Sequence, residues 1–222
     1  MSKIDSPLHN DNRNYDYSNA FAEEREEYRL ICELVEPGSR VIDLGCGNGS
    51  LLQKLIKEKN IKGEGVELSS SGIEVCKSKG LKVFKGRIDE KLPFADDSFD
   101  YSICNVTIQM VMYPEILLSE MKRISKYQIV SFPNFAHYKN RLDLLFKGRM
   151  PKPMLFKYKW YSTGHIHQLS IEDFYELVDD VGGLRVIRVN QFLSKNPIKR
   201  IIIKKYPNIF QILQAFLLEK VK

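Results

Sequence analysis

The sequence predicts an α/β protein: a doubly wound, mostly parallel sheet with helices on both faces. Three observations predict it. Short apolar runs of strand length alternate with amphipathic helical stretches over about 90 residues. The turn Asp43-Leu-Gly-Cys-Gly-Asn-Gly49 joins the first strand to the helix after it, at the place where such sheets open their ligand crevice. At 222 residues and 43% hydrophobic, the chain is long enough to bury one substantial core and fits one domain better than two.

The stretch 1–19 is rich in Asn, Asp, Ser and Tyr, lacks apolar periodicity, and is expected to be a flexible segment ahead of a single domain, 20–222. From Ala20 to Val35, Phe21, Tyr28, Ile31, Leu34 and Val35 recur at helical spacing, and Pro37-Gly38 stops the helix. Arg40–Leu44 reads as a strand, Leu51–Lys59 as a helix, Gly63–Leu68 as a strand, Ser71–Lys79 as a helix and Leu81–Gly86 as a strand. After the turn-rich Ala95-Asp-Asp-Ser98 come the strand Phe99–Val106, the helix Tyr113–Ile124 and the strand Tyr127–Phe132. The rhythm then breaks into a lid-like insertion at about 136–168, with a helix over His137–Phe146 and an aromatic stretch over Gly148–Tyr161. Ser170–Val181 is a helix whose first turn holds Glu172 and Asp173, which suit the positive end of its dipole. Leu184–Leu193 and Ile209–Glu219 both read as strands, an antiparallel pair at the sheet edge.

Composition narrows the function classes. No apolar run approaches the roughly 20 residues that cross a bilayer, and the first ten residues carry no signal-peptide pattern, so a cytoplasmic location without a membrane is expected. Cys32, Cys46, Cys76 and Cys104 are scattered, which points to neither a metal site nor a disulfide framework. The net charge of +6 is uneven: residues 1–138 carry 18 basic and 21 acidic groups, whereas 185–222 carry 9 and 1. The excess sits outside the half that holds the glycine turn, and no aromatics and glycines interleave with it, so nucleic acid is not the expected partner. Lys199-Arg200 and Lys204-Lys205 read either as a solvated face or as a surface for an acidic partner.

Within the glycine turn, the residues themselves argue for a ligand. Asp43 closes the first strand, where its carboxylate either stabilises a cationic amino-acid moiety or orders the loop. Glu67 lies 20 residues after Gly47, at the end of the next strand, where an acid can accept both hydroxyls of a ribose. The spacing is GxGxG, and Ser50 stands where a dinucleotide fold would have Gly or Ala, which disfavours a pyrophosphate.

Val41–Gly49, Glu67, the Gly86–Glu90 turn and Leu92-Pro-Phe-Ala-Asp-Asp-Ser-Phe-Asp100 resemble the class I S-adenosylmethionine-dependent methyltransferases. The resemblance implies a Rossmann-like, seven-stranded sheet with an antiparallel C-terminal strand, and S-adenosylmethionine or S-adenosylhomocysteine as cofactor. It implies backbone contacts from Gly45, Cys46 and Gly47 to the methionine part, ribose contact from Glu67, and Ile88 and Asp89 beside adenine. Asp43, Asn48, Gly49, Leu68, Arg87 and Asn105 complete the implied cofactor set. Arg87 stands where the family commonly has Asp; either Asp89 substitutes, or Leu68 and Ile88 hold adenine by apolar contact.

Thr107-Ile-Gln109, Ile129-Val-Ser-Phe-Pro-Asn-Phe-Ala-His137, Gly148-Arg-Met-Pro151, Trp160-Tyr161, His165-Ile-His167 and Pro207-Asn-Ile-Phe210 are similar to motifs of the methionine-biosynthesis MetW family. That resemblance implies an association with a homoserine O-acyltransferase, which the chain would assist. The alternative is methyl transfer to a small acceptor, which needs a base or a desolvating cage near the sulfonium; Asn105, Gln109, Asn134, His137, Tyr161, His165 and His167 are the candidates. A further rival is a nucleotide-binding α/β protein that uses NAD.

Overall fold

The computed structural model describes Tyr17, residues 25–151 and residues 164–221. Seven strands form one sheet in the order β3-β2-β1-β4-β5-β7-β6: β1 Arg40–Leu44, β2 Lys62–Glu67, β3 Lys82–Lys85, β4 Phe99–Asn105, β5 Ser125–Pro133, β6 Leu184–Gln191 and β7 Leu213–Lys220. β1 pairs in parallel with β2 and β4, β2 with β3, and β4 with β5. β7 runs antiparallel to both β5 and β6 and enters between them, so the C-terminal strand is internal and β6 is the edge. The chain leaves β1 in one direction for β2 and β3, then returns to its other side for β4. That reversal opens the crevice between the carboxyl ends of β1 and β4.

Helices cover both faces because the strands alternate apolar side chains between them. Ile42, Leu44, Val130, Phe132, Phe216 and Leu218 point to the face packed by α4, Pro114–Ile124, and α6, Ile171–Val181. Val41, Ile103, Ile129 and Leu217 point to the face packed by α1, Glu26–Cys32, and α2, Ser50–Lys59. α3, Ser70–Ser78, lies against β2 and β3. α6 begins in a capping box: Ser170 Oγ accepts from the Asp173 amide (3.2 Å) and Asp173 Oδ2 from the Ser170 amide (2.7 Å). The Leu92–Asp100 run is fastened to α4 by Arg123, whose guanidinium donates to the carbonyls of Phe94 (2.7 Å) and Leu92 (3.0 Å) and pairs with Asp96 and Glu120.

Most element ends shift by one to three residues, and the region after β6 departs further from the sequence reading. The stretch read as a strand from Ile209 begins its strand only at Leu213; Pro207–Phe210 is a short helix, α8. Before it lies α7, Pro197–Lys205, which the sequence reading did not assign. Its cap was the available signal: Asn196 Oδ1 accepts from the amides of Ile198 (3.0 Å) and Lys199 (3.1 Å), and Pro197 occupies the first turn. In the insertion, α5 spans Tyr138–Lys147 and ends at Gly148, at φ +57°. Most of the aromatic stretch after it, Tyr161 included, lies outside the described residues.

Phe132, Phe174 and Phe216 interlock β5, α6 and β7, with ring centroids 5.0, 5.5 and 4.8 Å apart and none more than 1% exposed. Phe132→Ala is expected to cost about 3–5 kcal/mol in urea unfolding. A loss below about 1 kcal/mol would show that this junction repacks freely.

Candidate functional site

The crevice is built on the loop between β1 and α2. Gly45, at φ +80°, takes a turn that L side chains rarely adopt, and a Cβ on it would lie 2.6 Å from Thr107 Cγ2, so glycine is required twice over. The loop is tied to β2 through its amides. Gly45 N and Cys46 N both donate to the Val66 carbonyl (2.8 and 3.1 Å), and Gly47 N donates to Glu67 Oε2 (2.7 Å). The other Glu67 oxygen accepts from Ser69 N (2.7 Å), so one buried carboxylate joins the glycine loop to the start of α3. Asn48 Oδ1 accepts from Ser50 N, and its carbonyl accepts from Lys79 Nζ (2.7 Å). Gly49, at φ +72°, opens α2 without a side-chain cap.

Three of the loop's amides are engaged by β2, and two buried carboxylates stand beside them. That is the reverse of a phosphate cradle, which needs free N–H groups. Asp43 is fully buried, and its Oδ1 has no hydrogen-bond partner among the described residues. Burial, with the nearby Glu67 charge, pushes its carboxyl from 3.8 up to about 7. Burial also raises Glu67, opposed by the amides of Ser69 and Gly47 that favour its charged form. A cation placed between them would satisfy both. Cys76 Sγ donates to the Gly47 carbonyl behind the loop (3.4 Å), and the hydrogen bond between the Cys46 and Cys76 thiols, with burial, raises the Cys46 thiol.

The structure separates the remaining expected residues. Leu68 is half-buried directly after Glu67, whereas Ile88 belongs to the main core. The Arg87 guanidinium pairs with Asp89 (2.8 and 3.0 Å), and Asp89 Oδ2 also accepts from the amides of Met112 (2.9 Å) and Tyr113 (3.2 Å). Asp89 is therefore a tie between the loop after β3 and the approach to α4. Asn105 Oδ1 accepts from Ser131 Oγ (2.6 Å) at the end of β4. The next residue, Val106, sits at φ +52°, a strained conformation for a β-branched side chain at the crevice mouth.

Among the residues considered for methyl transfer, Asn134 is fully engaged: its Nδ2 donates to the carbonyls of Asn208 and Gln211 (3.0 Å each) and its Oδ1 accepts from Ala136 N. His137 caps α5, accepting at Nδ1 from Lys139 N (3.3 Å). Burial lowers His137, and lowers His165 to about 4, so both rings are neutral near pH 7. His165 meets Phe135 edge-on. Gln109 is fully buried; its carbonyl accepts from Ile166 N and His167 N, while its Oε1 and His167 Nε2 have no partner among the described residues. Among those residues no group of His, Cys, Asp and Glu side chains could hold a metal, and no helix is long and apolar enough to cross a membrane.

Sequence reasoning missed Tyr17. Its amide donates to Ser71 Oγ (2.9 Å), and its ring lies over the loop: a Cβ on Gly47 would be 3.0 Å from its hydroxyl oxygen, and one on Gly72 3.1 Å from its ring. A tyrosine in a polar stretch without periodicity carries no local signal of that contact.

Because the folded state raises Asp43 to about 7, it keeps a proton that the unfolded chain loses near its ordinary 3.8. The stabilisation this group provides is complete below pH about 4 and is lost as pH rises through about 7. Asp43→Asn, which cannot ionise, is expected to be more stable than the parent at pH 8, by about 2 kcal/mol, with a flatter profile from pH 5 to 8. Thermal unfolding across that range checks it; a variant melting below the parent at pH 8 would mean the carboxylate is already compensated.

Comparison with known proteins gives the same fold and a family. A SAM-dependent methyltransferase from Thermotoga maritima is 24% identical, with a TM-score of 0.61, covering 88% of this chain and 87% of its own. Another, from Aquifex aeolicus, is 18% identical, with a TM-score of 0.58, covering 88% and 90%. At such identities these structures establish the class I methyltransferase fold alone. The demethylmenaquinone methyltransferase of Staphylococcus aureus is 29% identical over 71% of this chain and 73% of its own. The bifunctional methionine biosynthesis protein MetXA/MetW of Rhodopirellula baltica is 36% identical over 71% of this chain, which spans 26% of that longer protein. A family model described as methionine biosynthesis protein MetW matches residues 25–218, six whole strands of the sheet and most of β7. On that match and the 36% identical relative, this chain belongs to the MetW family of methionine biosynthesis proteins.

Proposed function

We propose that the chain binds S-adenosylmethionine in the Asp43–Glu67 crevice and serves methionine biosynthesis by assisting a homoserine O-acyltransferase. One observation carries the ligand: a buried, unpartnered Asp43 oxygen beside a loop whose amides are already engaged. Such a crevice attracts cationic groups and repels phosphate, and S-adenosylmethionine brings a sulfonium and an ammonium. Glu67, already fixed by two amides, has lone pairs left for ribose hydroxyls. The same arrangement argues against the NAD reading, whose pyrophosphate would meet two carboxylates and a loop in which the amides of Gly45, Cys46, Gly47 and Gly49 are already engaged.

The assisting role draws on the family and on the Rhodopirellula relative, whose name joins MetXA to MetW on one chain. Residues near the crevice agree with it. A general base works best with a pKa near the operating pH, and His165 at about 4 is far from that. A second reading, methyl transfer to a small acceptor, is favoured by one observation: Gln109 Oε1, buried and without a described partner, follows the Thr107 that abuts Gly45.

Two measurements test the proposal. Glu67→Ala is expected to weaken S-adenosylmethionine binding by about 1–3 kcal/mol in isothermal titration, the usual consequence of removing a charge-assisted acceptor; unchanged affinity would remove Glu67 from the site. The homoserine O-acyltransferase of the same organism should co-purify with the chain and acylate homoserine faster in its presence. Absence of both a complex and a rate change would sink the assisting role and leave methyl transfer as the better reading.

A further inference from the structure

Two helices add almost nothing to the core. α7 buries no residue at all, and α5 buries only Asn140. Yet both carry an apolar stripe at i, i+3, i+4 spacing: Leu142, Leu145 and Phe146 on α5, and Ile198, Ile201 and Ile202 on α7. Phe146 is 77% and Ile198 69% exposed, where such side chains on a core-facing helix would be covered. No other pair of helices among the described residues leaves its stripe open in this way. Exposed apolar side chains gathered in this manner mark an interaction site.

Charge surrounds the stripes with one sign. Residues 195–205 carry Lys195, Lys199, Arg200, Lys204 and Lys205 and no acid. Residues 139–149 carry four basic side chains against Asp143, which is itself paired with Lys147. The two helices belong to one end of the molecule. The Tyr138 ring, at the start of α5, lies 5.8 Å from the Phe210 ring of α8, into which α7 leads. That end is the carboxyl edge of the sheet: α5 follows the end of β5, α8 precedes the start of β7, and Pro133 pairs with Leu213 there.

We infer that α5 and α7 form the docking face for the acyltransferase, which meets them with an apolar groove rimmed by carboxylates. The inference rests on the assisting role proposed above, which supplies an occupant that must contact this chain; the charge of the face specifies the partner's chemistry. A partner seated there would stand beside the S-adenosylmethionine crevice, at the same edge of the sheet.

The test uses the full chain, the acyltransferase of the same organism and three paired variants: Ile198→Ser with Ile201→Ser, Leu145→Ser with Phe146→Ser, and Lys199→Glu with Arg200→Glu. Each apolar pair is expected to raise the Kd for the acyltransferase at least tenfold by biolayer interferometry. The charge pair should slow association and flatten its salt dependence. S-adenosylmethionine affinity and the circular dichroism spectrum should stay at parental values, which separates lost docking from lost folding. Parental acyltransferase affinity in all three variants would overturn the docking face while leaving the assisting role intact. Failure of the parent chain itself to bind would overturn both. Co-sedimentation with phosphatidylglycerol vesicles, lost in the variants while acyltransferase binding is kept, would assign the face to a membrane and overturn the proposal as well.

Discussion

The candidate site depends on one carboxylate, that of Glu67. By accepting from Gly47 N on one side and Ser69 N on the other, it pins the glycine loop and the start of α3 to the end of β2. Neighbouring loop amides turn the same way, toward the Val66 carbonyl. The geometry fixes the sign of the crevice along with its shape. A glycine loop at the mouth of an α/β sheet with its amides free is an anion site. With those amides engaged by β2, and Asp43 behind them, the same loop has the surroundings that the proposed cationic ligand would need. The glycines permit the turn, and Glu67 holds it in place.

This arrangement has a cost that the rest of the fold offsets. Asp43 is a buried carboxyl with an open acceptor, close enough to Glu67 to feel its charge, and Val106 holds a left-handed conformation at the opposite wall. An unsatisfied buried carboxyl and backbone strain gathered at one crevice are what a binding site looks like before its ligand arrives. Elsewhere the charged groups are paired, although Ser98 Oγ, Gln128 Oε1 and Gln214 Nε2 are also buried without a partner among the described residues. Arg123 closes the Leu92–Asp96 turn with four partners, and Arg40 and Lys82 pair with Asp100 and Glu64 at the amino edge of the sheet. Charges there are balanced pair by pair, whereas at the carboxyl edge Asp43, Gln109 and His167 each keep a buried polar atom without a described partner.

Most of the framework was legible because local signals and packing agree. Strands buried on both faces leave apolar runs, and β1 falls on Arg40–Leu44 as read, with the other parallel strands displaced by at most two residues. The glycine turn, Asp43 and Glu67 were legible for a different reason: their spacing along the chain reproduces the strand ends of the crevice. Contacts between distant segments were not legible. Arg87 departs from the expected acid, and only the structure shows it paired with Asp89, whose carboxylate also holds amides 23 and 24 residues away. Tyr17 reaches Ser71 across 54 residues. α7 escaped because its helical spacing, Ile198, Ile201 and Ile202, is confined to nine residues and overlaps the contiguous Ile201-Ile-Ile203 run, which carries no helical period of its own; the Asn196-Pro197 cap marked it as well.

That last failure is informative about function. A helix whose cap is well formed but whose apolar side chains cover nothing is maintained by local chemistry alone, and a nine-residue helix draws little stability from propensity in water. Its ordering therefore depends on the Asn196 cap, Pro197 and the junction to α8, where Asn134 ties the end of β5 to the carbonyls of Asn208 and Gln211. The tie joins the α7–α8 corner to β5, and β5 in turn meets the crevice wall through Ser131, which bonds both Asn105 and Val106. Two groups of hydrogen bonds, joined by the backbone of β5 from Ser131 to Asn134, thus link the mouth of the crevice to the base of the uncovered helices. The topology imposes this neighbourhood: in a doubly wound sheet the connections at the carboxyl ends are freest to depart from the core. Here they leave at that edge both an unsatisfied carboxylate and the exposed helix faces.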